Sequence, residues 1–307
     1  MALSLHTKGL PAVKYTFKQF QAQFPDDAAC LLALMNIKHG GTDIVCPACG
    51  VQAQFHAMNT RKAFACQECG HHIYPCAGTI FHKSSTKLTH WFFAMYLMTS
   101  TRHGVAAKEL ERQIGCTYKT AWRMAHELRK LMATADTHGK GPLSGHVEID
   151  ETLFGGKNTG EGQANYMANK TTLLGMMERD GRVIAGPIAA RKTFILERAI
   201  ERNVEKGTTI STDEWKGYTN LGPMGFEHGT VNHSREEWVN GIHHTNSIEG
   251  HWSQLKRSIT GTHIHVSKKH LWKYVSEFSY RRNNRHSHRA MFDRLMVSLS
   301  LPRLADV

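Results

Sequence analysis

The stretch His146-Val-Glu-Ile-Asp-Glu151 decides the fold expected for the middle of this 307-residue chain. Successive side chains of a β-strand point to opposite faces, so Val147 and Ile149 share one face while Glu148 and Asp150 share the other. We interpret the apolar face as the core side of a sheet. Asp150 is then expected at the point where the strand runs out into a turn.

The residues that follow predict an α/β domain. Predicted strands cover 171–177, 182–189, 208–212 and 227–232. Asp180-Gly181, between the first two of these strands, is typical of a hairpin turn. Predicted helices cover 193–206 and 245–259. This order of strands and helices indicates a mixed sheet flanked by helices.

Two further acids occupy positions comparable to that of Asp150. Asp213 ends a β-rich run, and Glu249 follows it after thirty-five residues on a predicted helix. Lys256 lies two turns after Glu249 on the same helix face, and Asn246 lies one turn before it. Two strand-end aspartates and a helical glutamate form an all-oxygen ligand set suited to Mg²⁺ or Mn²⁺. Two such ions ~3.5–4 Å apart promote phosphodiester displacement, with Lys256 available to a DNA phosphate.

Neighbouring residues are assigned supporting roles. Glu148, Glu151 and Glu214 are interpreted as solvated neighbours or as supporting groups of the site. Trp215 and Trp252 follow two of the acids closely and are interpreted as core residues rather than as platforms for base stacking.

Four cysteines form the pattern C-x2-C-x16-C-x2-C, with a glycine directly after each pair. They are Cys46, Cys49, Cys66 and Cys69. Four thiolates at this spacing are typical of a structural Zn²⁺ site, which stabilises two short turns that have little core of their own. The sequence therefore predicts a zinc ribbon. Cys30 and Cys116 are interpreted as small core residues.

A helix-turn-helix is predicted after a first helix over 89–101. Its two helices cover 106–113 and 117–132. Gly115 makes the tight turn and Thr117 caps the second helix. Three outer residues near the start of that helix are of types that reach phosphates and base edges in a major groove: Tyr118, Lys119 and Arg123. The alternative is an ordinary helical connector.

The net charge of +12 is unevenly distributed. Residues 1–87 and 88–145 each carry +4, residues 146–250 carry −4, and residues 251–307 carry +8. The basic segments predict a polyanionic partner, and the acidic middle fits a metal-binding carboxylate site. Lys157, in the turn after the first strand, is also expected near DNA. The C-terminal basic residues assigned to DNA are Lys256, Arg257, Lys268, Lys269, Arg281, Arg282 and Arg285.

Together these features resemble the ISXO-like group of bacterial DDE-type insertion-sequence transposases, which carry an N-terminal zinc ribbon. The resemblance covers roughly residues 20–285 and rests on the four cysteines and on four motifs. The motifs are Val147-Glu-Ile-Asp-Glu-Thr-Leu-Phe-Gly-Gly-Lys157, Thr212-Asp-Glu-Trp-Lys-Gly-Tyr218, Val231-Asn-His-Ser234 and His244-Thr-Asn-Ser-Ile-Glu-Gly-His-Trp-Ser-Gln-Leu-Lys-Arg257.

The resemblance implies an RNase H-like catalytic fold with Asp150 and Asp213 as metal ligands. It also implies cleavage at the terminal inverted repeats of an insertion sequence, followed by strand transfer into target DNA. Because two DNA ends must be brought together, a homodimer or larger assembly on double-stranded DNA is expected. Glu249 is the third ligand by chemistry and spacing, while Asn246 and His251 lie close enough in sequence to stay open as alternatives.

The expected fold class is α/β: an RNase H-like mixed-sheet domain preceded by a zinc ribbon and a helix-turn-helix. The expected segments are a helical N-terminus (1–43), the zinc ribbon (44–80), the helix-turn-helix (86–136), a linker (137–145), the catalytic domain (146–260) and basic C-terminal helices (261–307).

Membrane and secretory functions are not expected. No apolar run approaches the ~18 residues that span a bilayer, and no secretory signal is evident. A cytoplasmic location at the bacterial nucleoid is therefore expected. Two other functions stay open: a DNA-binding regulator with an inert RNase H-like domain, and a related nuclease or resolvase without strand transfer. The intact acids and Lys256 argue against the inert domain.

Overall fold

The computed structural model of the chain describes residues 14–155 and 170–302. They form two compact units. The first unit contains the described residues up to 135 together with those from 284 onward, and the second contains the described residues within 136–283.

The predicted strands and helices are present, with ends that differ by a few residues. The strands are β1 (Asp43–Val45), β2 (Gln52–Ala57), β3 (Phe64–Cys66), β4 (His72–Ile73), β5 (His146–Phe154), β6 (Thr171–Glu178), β7 (Val183–Ile188), β8 (Thr209–Asp213) and β9 (Glu227–Val231). The helices are α1 (Phe17–Gln23), α2 (Asp27–His39), α3 (Leu88–Ser100), α4 (Ala107–Ile114), α5 (Tyr118–Thr137), α6 (Thr193–Asn203), α7 (Asn246–Ser258), α8 (Leu271–Asn283) and α9 (His288–Val297).

Aromatic side chains hold the helices of the first unit together. Phe24, directly after α1, packs edge-on against Phe92 of α3 and lies 5.8 Å from the ring of Phe292 of α9. Helix α9 therefore belongs to the first unit, whereas α8 packs on β7 in the second. The basic helices expected as one segment over 261–307 are thus divided between the two units.

Helices α4 and α5 form the predicted helix-turn-helix. Gly115 ends α4 with a φ of +72°, a left-handed conformation that glycine adopts at little cost. Thr117 caps α5, because its hydroxyl oxygen accepts a hydrogen bond from the N–H of Thr120. Leu110, on α4, and Met124, on α5, are fully buried, so they lie on the inner faces of the two helices.

The second unit is built on a five-stranded sheet with the order β7-β6-β5-β8-β9. Strands β7, β6 and β5 are antiparallel neighbours, while β8 and β9 run parallel to β5. This is the mixed sheet expected for the second unit.

Helices cover both faces of this sheet. Leu196 and Ile200 of α6 pack with Val147 and Ile149 of β5 on one face. On the other face, α7 and α8 contribute a second core that contains Trp252. The predicted core role of Trp252 is therefore confirmed, since only 4% of its surface is exposed.

The sequence predicted that Asp150 lies at the end of its strand. This prediction is wrong, because β5 continues to Phe154 in its pairing with β6. The parallel pairing of β5 with β8, however, covers only residues 146–148 of β5. Asp150 therefore lies just beyond the point where the two parallel strands separate. Asp213 is the last residue of β8, as predicted.

Gly175 of β6 allows α7 to lie close to the sheet beside Asp150. It is the register partner of Asp150. A Cβ atom at Gly175 would overlap the indole ring of Trp252 and lie 2.8 Å from Cδ1 of Ile248. A side chain at this position would push α7 away from β5.

We expect Gly175→Ala to lower the free energy of unfolding by about 1–3 kcal/mol, since overpacking strains a close-packed core. Gly186→Ala on neighbouring β7 is the matched control, because a Cβ atom there meets nothing within 4 Å. Urea unfolding of both variants checks this. Equal stability of the two variants would contradict the close packing of α7.

Candidate functional site

The four ribbon cysteines converge at two tight turns. The N–H of Gly50 donates to the carbonyl of Cys46 at 2.9 Å, and the N–H of Gly70 donates to that of Cys66 at 3.0 Å. Both glycines have a φ of +73°, which explains why glycine follows each cysteine pair. The four Sγ atoms lie within 4.8 Å of one another, and those of Cys46 and Cys69 are 3.7 Å apart.

This arrangement fits a tetrahedral Zn²⁺ site, in which Zn–S distances of ~2.3 Å place the sulfur atoms about 3.8 Å apart. Burial opposes ionisation of Cys46, but hydrogen bonds from the backbone N–H groups of Cys49 and Ala48, together with those from the Cys49 and Cys69 thiols, outweigh it and lower its pKa to about 6. The thiolate is the form that binds metal.

Acidic side chains crowd around Asp150 in the second unit. Burial raises the pKa of Asp150 from 3.8 to about 7, and the charges of Glu151, Asp213 and Glu249 add to this effect. The fold thus brings the three sequence-predicted acids into one electrostatic neighbourhood. Because the three carboxylates repel one another, their ionised forms are unfavourable without a counter-charge, which a bound divalent cation would provide.

Glu148 is fully buried, so of its two interpretations, a solvated neighbour or a supporting group, the structure favours the second. Its Oε2 accepts hydrogen bonds from the N–H groups of Ser247 and Ile248, at 2.8 and 3.1 Å. Its Oε1 accepts the hydroxyl of Ser247 at 3.0 Å and Nε of Arg179 at 3.4 Å. Nδ1 of His244 lies 3.1 Å from the same oxygen. Glu148 thus joins β5 to the start of α7.

The side chain of Glu151 is only 2% exposed, so it too fits a supporting group rather than a solvated acid. Arg191 donates to both of its oxygens, at 3.3 and 3.4 Å. The same guanidinium lies 3.5 Å from Oδ2 of Asp213 and packs over the ring of Trp215. Burial raises the pKa of Glu151 although Arg191 opposes the shift. Burial and then Glu151 raise the pKa of Tyr218 well above its usual range.

Glu249 lies in the first turn of α7 and accepts a hydrogen bond from the Thr245 hydroxyl at 2.7 Å. Asn246 is exposed at the start of the same turn. His251 is fully buried against the rings of Trp252 and Phe278, and burial lowers its pKa to about 3. The position of its ring removes His251 from the candidates for the third ligand, and Glu249 and Asn246 remain.

Lys256 is exposed and donates to the Thr152 hydroxyl at 2.7 Å. Thr152 follows Asp150 by two residues and therefore shares its face of β5. The two turns predicted between Glu249 and Lys256 thus place the ammonium group next to the acid-bearing face of the strand.

The acids do not form one compact cage. Among the described residues, the four cysteines are the one group of three or more His, Cys, Asp or Glu side chains whose possible ligand atoms all lie within 4.8 Å of one another. A two-ion site does not require such a cage, because its ions are ~3.5–4 Å apart and each takes its own ligands. The donor chemistry of Asp150, Asp213 and Glu249 fits Mg²⁺ or Mn²⁺ in this arrangement.

Most of the residues assigned to DNA have exposed side chains. These are Tyr118, Lys119, Arg123, Lys256, Arg257, Lys268, Lys269 and Arg285. Arg282 is half-buried, and Lys157 lies outside the described residues. Arg281 is buried and paired with Glu277 at 2.7 Å, so its assignment to a DNA surface is wrong.

Comparison with known families decides the identity of the two domains. Residues 142–283 match the ISXO2-like transposase domain, and residues 25–72 match a transposase zinc-ribbon domain. Both matched regions are thus similar to transposase domains. The resemblance drawn from the sequence motifs is thereby confirmed. The zinc-ribbon match extends from the start of the α2 region to β4 and includes all four cysteines.

A relative and two solved structures were also found. An uncharacterized protein in transposable element ISH50 of Halobacterium salinarum is 26% identical over 273 residues, which cover 83% of this chain and 90% of that protein. Two Mos1 transposase structures are 12% identical with a TM-score of 0.23: the strand transfer complex, over 64% of this chain and 75% of that one, and the paired-end complex with the left transposon end, over 69% and 80%. These structural similarities are weak.

None of the helices in the described part of the chain is both long and apolar enough to cross a membrane.

Sequence reasoning left open whether Glu148 and Glu151 are supporting groups, and it missed the roles of Arg191 and Gly175. A signal existed for Glu148, since strand alternation places it on the same face as Asp150. Arg191 and Gly175 gave no comparable signal, because their contacts with Asp213 and with Trp252 depend on how separate elements pack.

We expect the ribbon to bind one Zn²⁺ per chain and Cys46→Ser to lose it, since a closed four-thiolate site tolerates no missing ligand. Cys116→Ser is the matched control, because Cys116 lies outside the four-cysteine group. Metal analysis of the purified proteins checks this. Equal zinc content in the two variants would contradict the site.

We expect the stability of the metal-free second unit to fall as the pH rises from about 4 to about 7. The folded state retains the Asp150 proton up to a pKa of about 7, whereas the unfolded state releases it near 3.8, so the folded state binds more protons in this window. Asp150→Asn should reduce this fall, and the exposed-turn variant Asp180→Asn should not. Thermal unfolding across pH in EDTA measures it; an unchanged slope in Asp150→Asn would contradict the raised pKa.

Proposed function

We propose that the chain is a DDE-type transposase that binds the terminal inverted repeats of an insertion sequence and catalyses divalent-metal-dependent DNA cleavage and strand transfer. The observation that supports this most directly is the joining of β5 to α7, which brings Asp150 and Glu249 together near Asp213. The match to the transposase domain supplies the reaction class.

In this proposal, Asp150, Asp213 and Glu249 hold Mg²⁺ or Mn²⁺. When bound, these ions activate an attacking oxygen and stabilise the leaving oxygen in phosphodiester displacement. Lys256, anchored at Thr152, presents its ammonium group to a DNA phosphate beside the acids. Arg191 pairs with Glu151 of β5 and lies 3.5 Å from Asp213 of β8, which links these two acid-bearing strands.

DNA contact by the rest of the chain is assigned to exposed basic side chains. The start of α5 offers Tyr118, Lys119 and Arg123, and the second unit offers Arg257, Lys268 and Lys269. Two transposon ends must be held together for strand transfer, so the active form is a homodimer or larger assembly on DNA.

Incubation with an inverted-repeat oligonucleotide, a target plasmid and Mg²⁺ or Mn²⁺ tests the proposal. Joined products support a transposase, cutting without joining indicates a nuclease or resolvase, and a mobility shift without cutting indicates a DNA-binding regulator. Binding should weaken steeply as salt increases, because phosphate contacts release counterions.

We expect Glu249→Gln to abolish strand cleavage without loss of DNA binding, since the amide is neutral and a poorer ligand for a hard cation. Glu214→Gln is the control, because Glu214 is an exposed acid directly after Asp213. Cleavage and mobility-shift assays of both variants check this. Near-normal cleavage by Glu249→Gln would transfer the ligand role to Asn246.

A further inference from the structure

Glu148 is an acid that the reaction itself does not require. It lies on β5 two residues before Asp150, and its side chain is excluded from solvent. Moving a carboxylate out of water is costly unless it is paired and its oxygens accept hydrogen bonds. The partners of Glu148 therefore show what the buried charge is for.

The partners of Glu148 lie mainly at one place, the first turn of α7. The first N–H groups of a helix have no acceptor within the helix, and the positive end of the helix dipole favours an anion there. Glu148 accepts two of these N–H groups, from Ser247 and Ile248, and also accepts the Ser247 hydroxyl. A side chain of the sheet thus caps the helix that carries Glu249.

A second contact restrains the other end of α7. The Lys256 ammonium donates to Thr152, so residues 148 and 152 of β5 each hold one end of the helix. Asp150 lies between them on the same face of the strand. Glu249 follows Ser247 by two residues and therefore lies within the capped turn.

We propose that Glu148 is a positioning residue that fixes the first turn of α7 against β5, so that Glu249 and Asp150 are held in register to bind divalent cations. This inference rests on the proposed function. It assigns Glu148 no contact with metal or DNA. Its effect passes through the backbone of Ser247 and Ile248.

Glu148→Gln is the main test variant, since it preserves size but replaces one acceptor oxygen with an NH2 donor. Both carboxylate oxygens of Glu148 accept hydrogen bonds. In either orientation of the glutamine amide, its NH2 group would therefore meet a hydrogen-bond donor instead of an acceptor. Ser247→Ala is a milder variant, which removes the hydroxyl contact and leaves the carboxylate. Glu277→Gln is the matched control, because it neutralises another buried carboxylate of the same unit, paired with Arg281 on α8.

The primary measurement is Mn²⁺ binding to EDTA-stripped, zinc-reconstituted full-length protein, by calorimetry and by electron paramagnetic resonance. Thermal unfolding and DNA mobility shift are recorded in parallel. We expect Glu148→Gln to weaken Mn²⁺ binding about tenfold to hundredfold, the range for groups that orient metal ligands. Ser247→Ala should weaken it less, and Glu277→Gln should lower the melting temperature without changing Mn²⁺ affinity. DNA affinity should stay at the wild-type value.

Wild-type Mn²⁺ affinity in Glu148→Gln would overturn the inference, as would an equal loss in Glu277→Gln. If Glu148→Gln does not fold, Ser247→Ala decides, and unchanged Mn²⁺ affinity there overturns it. Absence of Mn²⁺ binding by the wild type overturns it too. If the wild type binds Mn²⁺ but neither cuts nor joins DNA, the proposed function fails while the binding data still decide the role of Glu148.

Discussion

The buried carboxylate of Glu148 is the interaction on which the site of the second unit depends. An uncompensated buried charge would destabilise the fold by several kcal/mol, so the chain must supply donors where Glu148 lies. It supplies them from the start of α7, which otherwise has unsatisfied N–H groups. The same contact therefore compensates the buried charge of Glu148 and satisfies the N–H groups of α7. It forms only when β5 and α7 adopt a single relative position.

Close packing reinforces the same relative position. Trp252 of α7 lies directly over Gly175 of β6, where any side chain would collide with the indole ring. Polar capping fixes the start of the helix, and the glycine sets how near the helix approaches the sheet. Together they restrain α7 in translation along the strand and in distance from it, as the proposed ligand role of Glu249 on this helix requires.

A feature of the fold or the site could be predicted from the sequence where it depends on residues that are close together in the chain. The zinc ribbon, the helix-turn-helix and the strand containing Asp150 leave local patterns, because each depends on spacing within a short stretch. The burial of Glu148 and Glu151 leaves no such local pattern, since it depends on Arg191 and on α7, which are far away in sequence. For Arg281 the sequence misled in the opposite direction. It belongs to a basic cluster in sequence, yet it is buried and paired with Glu277 one helical turn away.

In the proposed function, the charges of the site explain how an acidic segment would act on DNA. Residues 146–250 carry a net charge of −4, and several of these acids surround Asp150. Arg191 pairs with Glu151, reaches Asp213 and packs over Trp215. Burial and the charges of Glu151, Asp213 and Glu249 nevertheless raise the pKa of Asp150, so added positive charge would stabilise the ionised site. A site built in this way attracts divalent cations first and becomes compatible with a phosphate backbone once they are bound.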